Sequence, residues 1–193
     1  MNPPPRAVDD PRGCDESAEQ VVAATRGWLE KVVIGLRLCP FAAGPFARGQ
    51  IRYSVSQQES TDGLTQELAR ELTHLHAADP LLCETSLLIH PRVLNDFADY
   101  NQFLDRAEAT LIAMNLEGEL QIASFHPAYQ FAGSAPNAVE NYSNRSPYPM
   151  LHLLREASVA RAVAALPDVN EIGDRNMATL RALGAAGWQQ LLR

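Results

Sequence analysis

Hydrophobic positions along the chain follow two periods. From Ser17 onward Val21, Val22, Trp28, Leu29, Val32, Val33 and Leu36 recur at helical spacing. Ser17 with Gln20 three positions on has the form of a capping box, so this stretch reads as an amphipathic helix that ends before Pro40. Ile51, Tyr53 and Val55 then alternate with Arg52, Ser54 and Ser56, the period of a half-buried strand. Leu64, Leu68, Leu72 and Leu75 form a narrow helical stripe closed by Asp79-Pro80. The run Ser86-Leu87-Leu88-Ile89 is continuously apolar at its end, as in a strand covered on both faces. Asn95 or Asp96 caps a further helix with Phe97, Tyr100, Leu104, Ala107, Leu111 and Met114 on one face, and Leu120 to Phe125 reads as a third strand. From His126 to Tyr148 neither period holds, and Pro, Gly, Asn and Ser dominate. Pro147 or Pro149 suits the first turn of a helix carrying Leu151, Leu154, Ala162 and Leu166. Pro167-Asp168 with Glu171 resembles the start of a last helix, with Ile172, Leu180 and Leu183 inward and Trp188 just beyond.

This alternation predicts an α/β fold: a small, mostly parallel three-stranded sheet flanked by helices. An α+β arrangement with one antiparallel strand is the alternative. Residues 1–15, with Pro3-Pro4-Pro5, read as a flexible tail, and residues 16–193 as a single α/β domain. The composition, 46% hydrophobic and 20% charged, is that of a packed globular chain. A net charge of −7, with Lys31 as the sole lysine, argues against a nucleic-acid partner. No apolar run reaches bilayer length and the N-terminus lacks a signal-peptide core, so we expect no membrane span and a cytoplasmic protein. Cys14, Cys39 and Cys83 are far apart and suggest neither a disulfide framework nor a zinc ribbon.

The chemistry-bearing residues gather at strand ends and in the long loop. His90-Pro91 and His126-Pro127 each end an expected strand, so in a parallel sheet both histidines emerge at its carboxyl edge, where α/β sheets bind ligands. They are the candidate acid–base pair, against the plainer reading that each caps a strand end. Arg145 precedes the helix expected at Pro147 or Pro149, so a guanidinium and a helix N-terminus would converge on one anion. Asn144, Tyr129 and Asn95 are the further candidates for ligand contact, with Asn95 and Asp96 first of all cap residues and Asp96 a candidate partner of His90. In the alternative reading, Arg145 pins the loop through its carbonyls or through Glu140, and Tyr129, Phe131, Tyr142 and Tyr148 anchor it. Cys39 follows a helix and reads as a structural thiol. His90, His126, His152 and Cys39 are the residues fit to hold a transition metal, although none share ligand spacing on one helix. His74 and His76, two apart on a helix, point away from each other.

The segments Leu38-Cys39-Pro40-Phe41-Ala42, Leu88-Ile89-His90-Pro91, Ala123-Ser124-Phe125-His126-Pro127 and Asn144-Arg145-Ser146-Pro147-Tyr148-Pro149, followed by Leu151-His152-Leu153-Leu154-Arg155-Glu156, resemble the bacterial family catalogued as domain of unknown function 1415. The likeness runs from about Ser17 to Trp188 and departs at Arg37, where the resemblance implies Asn in many members. It implies a shared fold and motif set and carries no reaction. No dinucleotide, Walker or G-x-S-x-G fingerprint names a cofactor or a reaction class. The residues point first to an enzyme acting on a small anionic metabolite, with His126 and His90 as acid–base groups and Arg145 as the anion clamp. A non-catalytic binding or scaffold module is the rival, and a transition-metal-binding protein the third reading. The first requires that His90, His126 and Arg145 face a common cavity.

Overall fold

The structure, a computed structural model, describes residues 16–164 and 170–191. The tail expected at residues 1–15 and the helix start expected at Pro167-Asp168 lie outside the described residues. Helix α1, Ala18–Trp28, begins at the capping box: Ser17 accepts from the Gln20 N–H and the Gln20 side chain accepts from the Ser17 N–H. It runs on as a π-helical stretch, Leu29–Ile34, and the chain then turns through Arg37 at φ 55. Next come the short α2 (Ala43–Ala47), β1 (Ile51–Val55), α3 (Thr61–Ala77), β2 (Thr85–Ile89), α4 (Phe97–Ala113) and β3 (Leu120–Phe125). The four leucines of the α3 stripe are fully buried, as their spacing predicts.

After β3 the structure departs from the expected order. Residues 150–155 form a strand, β4 (Met150–Arg155), where a helix was expected, and α5 (Glu156–Ala164) starts only at Glu156. Leu151 and Leu154 are three apart and mimic a helical stripe, but Met150, Leu151, Leu153 and Leu154 are all buried, which is the pattern of a strand covered on both faces. The prolines at 147 and 149 suit extended backbone leading into a strand as well as they suit a helical first turn. The last helix, α6 (Asn170–Leu191), kinks at Gly184, whose φ of 62 is open to glycine, and contains Trp188.

The sheet therefore has four strands in the order β1-β2-β4-β3. β1 and β2 pair in parallel, and β4 lies antiparallel between β2 and β3. The fold is α/β with a mixed sheet flanked by helices, which corrects the expected three-stranded, mostly parallel one. One core joins the face carrying Leu87, Ile89 and Met150 to Val21, Trp28, Val32 and Leu180 of α1, its π-helical extension and α6. The other joins Leu88, Leu151 and Leu153 to the α3 leucines and to Tyr100, Phe103 and Leu111 of α4. On that second face Glu71 is buried against β1 and β2. It accepts from Arg52 Nε at 2.9 Å and Nη2 at 3.1 Å, from Ser54 Oγ at 3.1 Å and from Ser86 Oγ at 3.0 Å.

Candidate functional site

Because β1, β2 and β3 all point one way, His90 and His126 do leave the sheet at the same edge. Between them the chain enters β4, so the His90 N–H donates to Pro149 O at 3.0 Å and the His126 N–H to Asn144 O at 3.2 Å. Tyr100 reaches up from α4 under both rings, with centroids 5.8 Å from His90 and 5.0 Å from His126. Its hydroxyl donates to Met150 O at 2.9 Å and accepts the Phe125 N–H at 3.1 Å, tying the end of β3 to the start of β4. Phe97 closes the cluster against His126 and Tyr129.

The bonds of each imidazole fix its tautomer. His126 Nδ1 accepts the Ala128 N–H at 3.0 Å, so the proton sits on Nε2 and is donated to Leu94 O at 3.2 Å. Leu94 stands at φ 60, a strained conformation for a branched side chain, and this bond helps hold it there. His90 donates from Nδ1 to Val93 O at 2.9 Å, leaving Nε2 buried without a partner among the described residues. Burial lowers the pKa of both; His90, with His126 nearby adding to the effect, falls to about 4. Both rings are thus neutral near pH 7. Asp96, a candidate partner of His90, instead caps α4 by accepting from the Ala98 and Asp99 N–H groups, and Asn95 beside it is exposed.

Arg145 has no helix N-terminus beside it, because β4 replaces that helix, so the expected pairing of guanidinium and helix end is corrected. Its Nε donates to Tyr129 O at 3.3 Å and its Nη2 to Pro136 O at 2.7 Å, and the guanidinium lies over the Tyr142 ring at 4.8 Å. These contacts pin the long loop, which winds into a 3-10 helix, Val139–Asn144. The buried Asn141 ties the same loop through Phe131 N, Ala135 O and Ser134 Oγ, while Asn144 donates to Ser124 O. Among the described residues no carboxylate pairs with this half-buried cation.

Arg145 also lines a groove of about 460 Å³ between α1, the segment leading into β4 and the end of α6. The buried Trp28, Trp188 and Tyr148 line it, with the small residues Ala23, Ala24 and Gly27 of α1 and the exposed Lys31. Glu16, whose carboxylate accepts from the Tyr148 hydroxyl, is the one acidic group among the lining residues. Two cations thus face one carboxylate. Trp28, only 4% exposed, keeps an indole N–H with no partner among the described residues. The same residue lines a second, inner cavity of about 40 Å³ under α1, walled by apolar side chains such as Leu29, Val33, Phe41, Leu87 and Phe125. His152 and Cys39 line it as well. Thr85 Oγ1 donates to Leu153 O at 2.6 Å and so must accept from His152 Nε2 at 2.7 Å. Burial holds His152 at a pKa of about 4, uncharged, and burial likewise raises that of the Cys39 thiol.

Neither His90 nor His126 lines either of these cavities. Of the three residues expected to converge, Arg145 alone lines one of these two cavities. The four residues proposed for a metal divide between the sheet edge and the inner cavity, and among the described residues no three His, Cys, Asp or Glu side chains gather as a metal site. Sequence reasoning missed Lys31, Trp28 and Trp188 as a group. The available signal was the sole lysine of the chain at helical spacing from Ala24, Gly27 and Trp28. No helix among the described residues is long and apolar enough to cross a membrane.

A family model described as "Protein of unknown function (DUF1415)" matches residues 20–190, and the chain belongs to that family. No curated protein and no solved structure matches the chain.

Proposed function

We propose that this domain binds a small anionic ligand in the groove between α1 and the segment Arg145–Tyr148. The observation that carries the reading is that Arg145 and Lys31, neither paired with a carboxylate among the described residues, line one cavity of about 460 Å³. A partly buried cation without a counter-ion is costly, and an anion beside it recovers part of that cost. The volume lies within the range of small-molecule sites, and aromatic walls with a few polar groups are their usual lining. The role is binding. For His90 and His126, neutral charge and backbone partners at three of the four ring nitrogens favour structural work at the sheet edge over acid–base chemistry.

The only two tryptophans of the chain, Trp28 and Trp188, both line the groove, so their emission reports occupancy directly. Titration with inorganic phosphate and with acetate is expected to give a saturable change in emission that weakens with added salt. Lys31→Glu should weaken binding about tenfold or more, since it replaces attraction by repulsion at the rim. Because Lys31 is exposed, the substitution should leave the melting temperature nearly unchanged. An undiminished response in Lys31→Glu would refute the assignment.

A further inference from the structure

The two cavities share one wall. Trp28 lines both the cationic groove and the apolar inner cavity, and its ring packs edge-on against Phe125 at 5.4 Å. We propose that the ligand is an amphiphilic anion, a carboxylate or phosphate bearing a short unbranched apolar chain, whose head sits at Arg145 and Lys31 and whose chain passes Trp28 into the inner cavity. This rests on the groove being an anion site and adds the nature of the ligand's other end.

Three observations carry it. The inner cavity is walled almost wholly by hydrocarbon, so it favours methylene groups over water. His152 on its wall is bonded to Thr85 at Nε2 and held uncharged by burial, so no charge there repels an apolar chain. The indole N–H of Trp28 is buried without an acceptor among the described residues, and an unpartnered donor of this kind is satisfied by a ligand oxygen lying beside the ring. A head-group oxygen at the mouth of the inner cavity would fill that role.

The test uses the full chain and a homologous series, acetate, butyrate and hexanoate, with 1-hexanol as the uncharged control, read through tryptophan emission. Affinity is expected to rise roughly fourfold per methylene until the inner cavity is full. Val33→Ala, which enlarges that cavity, should move the limit to a longer chain, and Ala42→Val, which narrows it, to a shorter one; acetate binding should stay the same in both. Hexanol should bind at least about tenfold more weakly than hexanoate, the worth of one charge-assisted contact. Equal affinity for acetate and hexanoate, a length limit that neither variant moves, or hexanol binding as well as hexanoate would each overturn the proposal while leaving the anion groove intact. If phosphate and acetate themselves leave the emission unchanged, the groove assignment fails and this one falls with it.

Discussion

Acid should unfold this protein through its buried imidazoles before its carboxylates titrate. His90 is wholly buried and its folded-state pKa is about 4, against an ordinary value near 6.5. Between those values the unfolded chain binds the proton and the folded chain does not, so stability is full above pH 6.5 and is lost as the pH falls toward 4. At about 1.4 kcal/mol per pH unit, lowering the pH from 7 to 5 costs about 2 kcal/mol through His90 alone. His152 shares the shift to about 4 and His126 moves in the same direction, so the whole protein should lose more than that. Urea unfolding at pH 7 and pH 5 measures the loss as a shift of midpoint. His90→Asn supplies the control, because its amide N–H stands where Nδ1–H donates to Val93 O but carries no titrating proton. The variant should be less stable at pH 7 yet lose about 2 kcal/mol less on acidification. If it loses as much as the wild type between the two pH values, the burial argument for His90 is wrong.

Three further substitutions probe the rest of the scaffold. Tyr100→Phe leaves Met150 O and the Phe125 N–H without their shared buried partner and should cost about 2–4 kcal/mol by denaturant unfolding. Glu71→Gln removes the charge that holds Arg52, Ser54 and Ser86. Burial pushes this carboxyl up, but the bonds from Arg52 and the two serines bring it below its ordinary pKa, so the variant should lose about 3 kcal/mol at neutral pH. Arg37→Asn, at φ 55, should raise stability by about 0.5–1 kcal/mol, because Asn tolerates the left-handed region better than Arg; an unchanged midpoint would mean that Arg37 is not strained there.

How much of this was legible in the sequence depended on whether local pattern and tertiary environment agreed. The capping box at Ser17 and the α3 leucine stripe are where the local pattern placed them, since α1 and α3 each bury one face and expose the other, and β3 keeps its expected range with most of its residues half-buried. β4 was not legible, because a strand buried on both faces has no alternation and Leu151 and Leu154 happen to fit a helical stripe. That one misreading supplied the helix N-terminus that made Arg145 look like half of a phosphate cradle. The site residues then divided by chemistry. His90 and His126 were rightly placed at one edge by strand polarity, but whether that edge is open or sealed depends on Asn144 and Pro149, which are distant in sequence from the histidines they meet. The groove brings together α1, the approach to β4 and the end of α6, so only the folded chain shows Lys31 lining the same groove as Arg145.

The insertion of β4 explains why the edge is sealed and the groove lies elsewhere. In a parallel sheet, ligands settle beyond the carboxyl ends of the strands, where loops diverge and backbone donors stay free. Here the chain returns across that edge before running back as β4, so the first free N–H beyond β2 and the first beyond β3 are taken by Pro149 O and Asn144 O. Tyr100 closes the seam from below, and the histidine rings fill the remaining space as neutral, hydrogen-bonded packing. The returning segment has a second side. Arg145, Ser146, Pro147 and Tyr148, which follow directly from the bonds that close the edge, face α1 and form one wall of the groove. One stretch of chain thus closes the usual place for a ligand and builds another about the tryptophans, so loosening the edge should disturb the groove. Tyr100→Phe, which touches no groove residue by hydrogen bond, is accordingly expected to weaken phosphate binding as well as stability, whereas Glu71→Gln, on the far side of β2, should reduce stability with phosphate affinity unchanged.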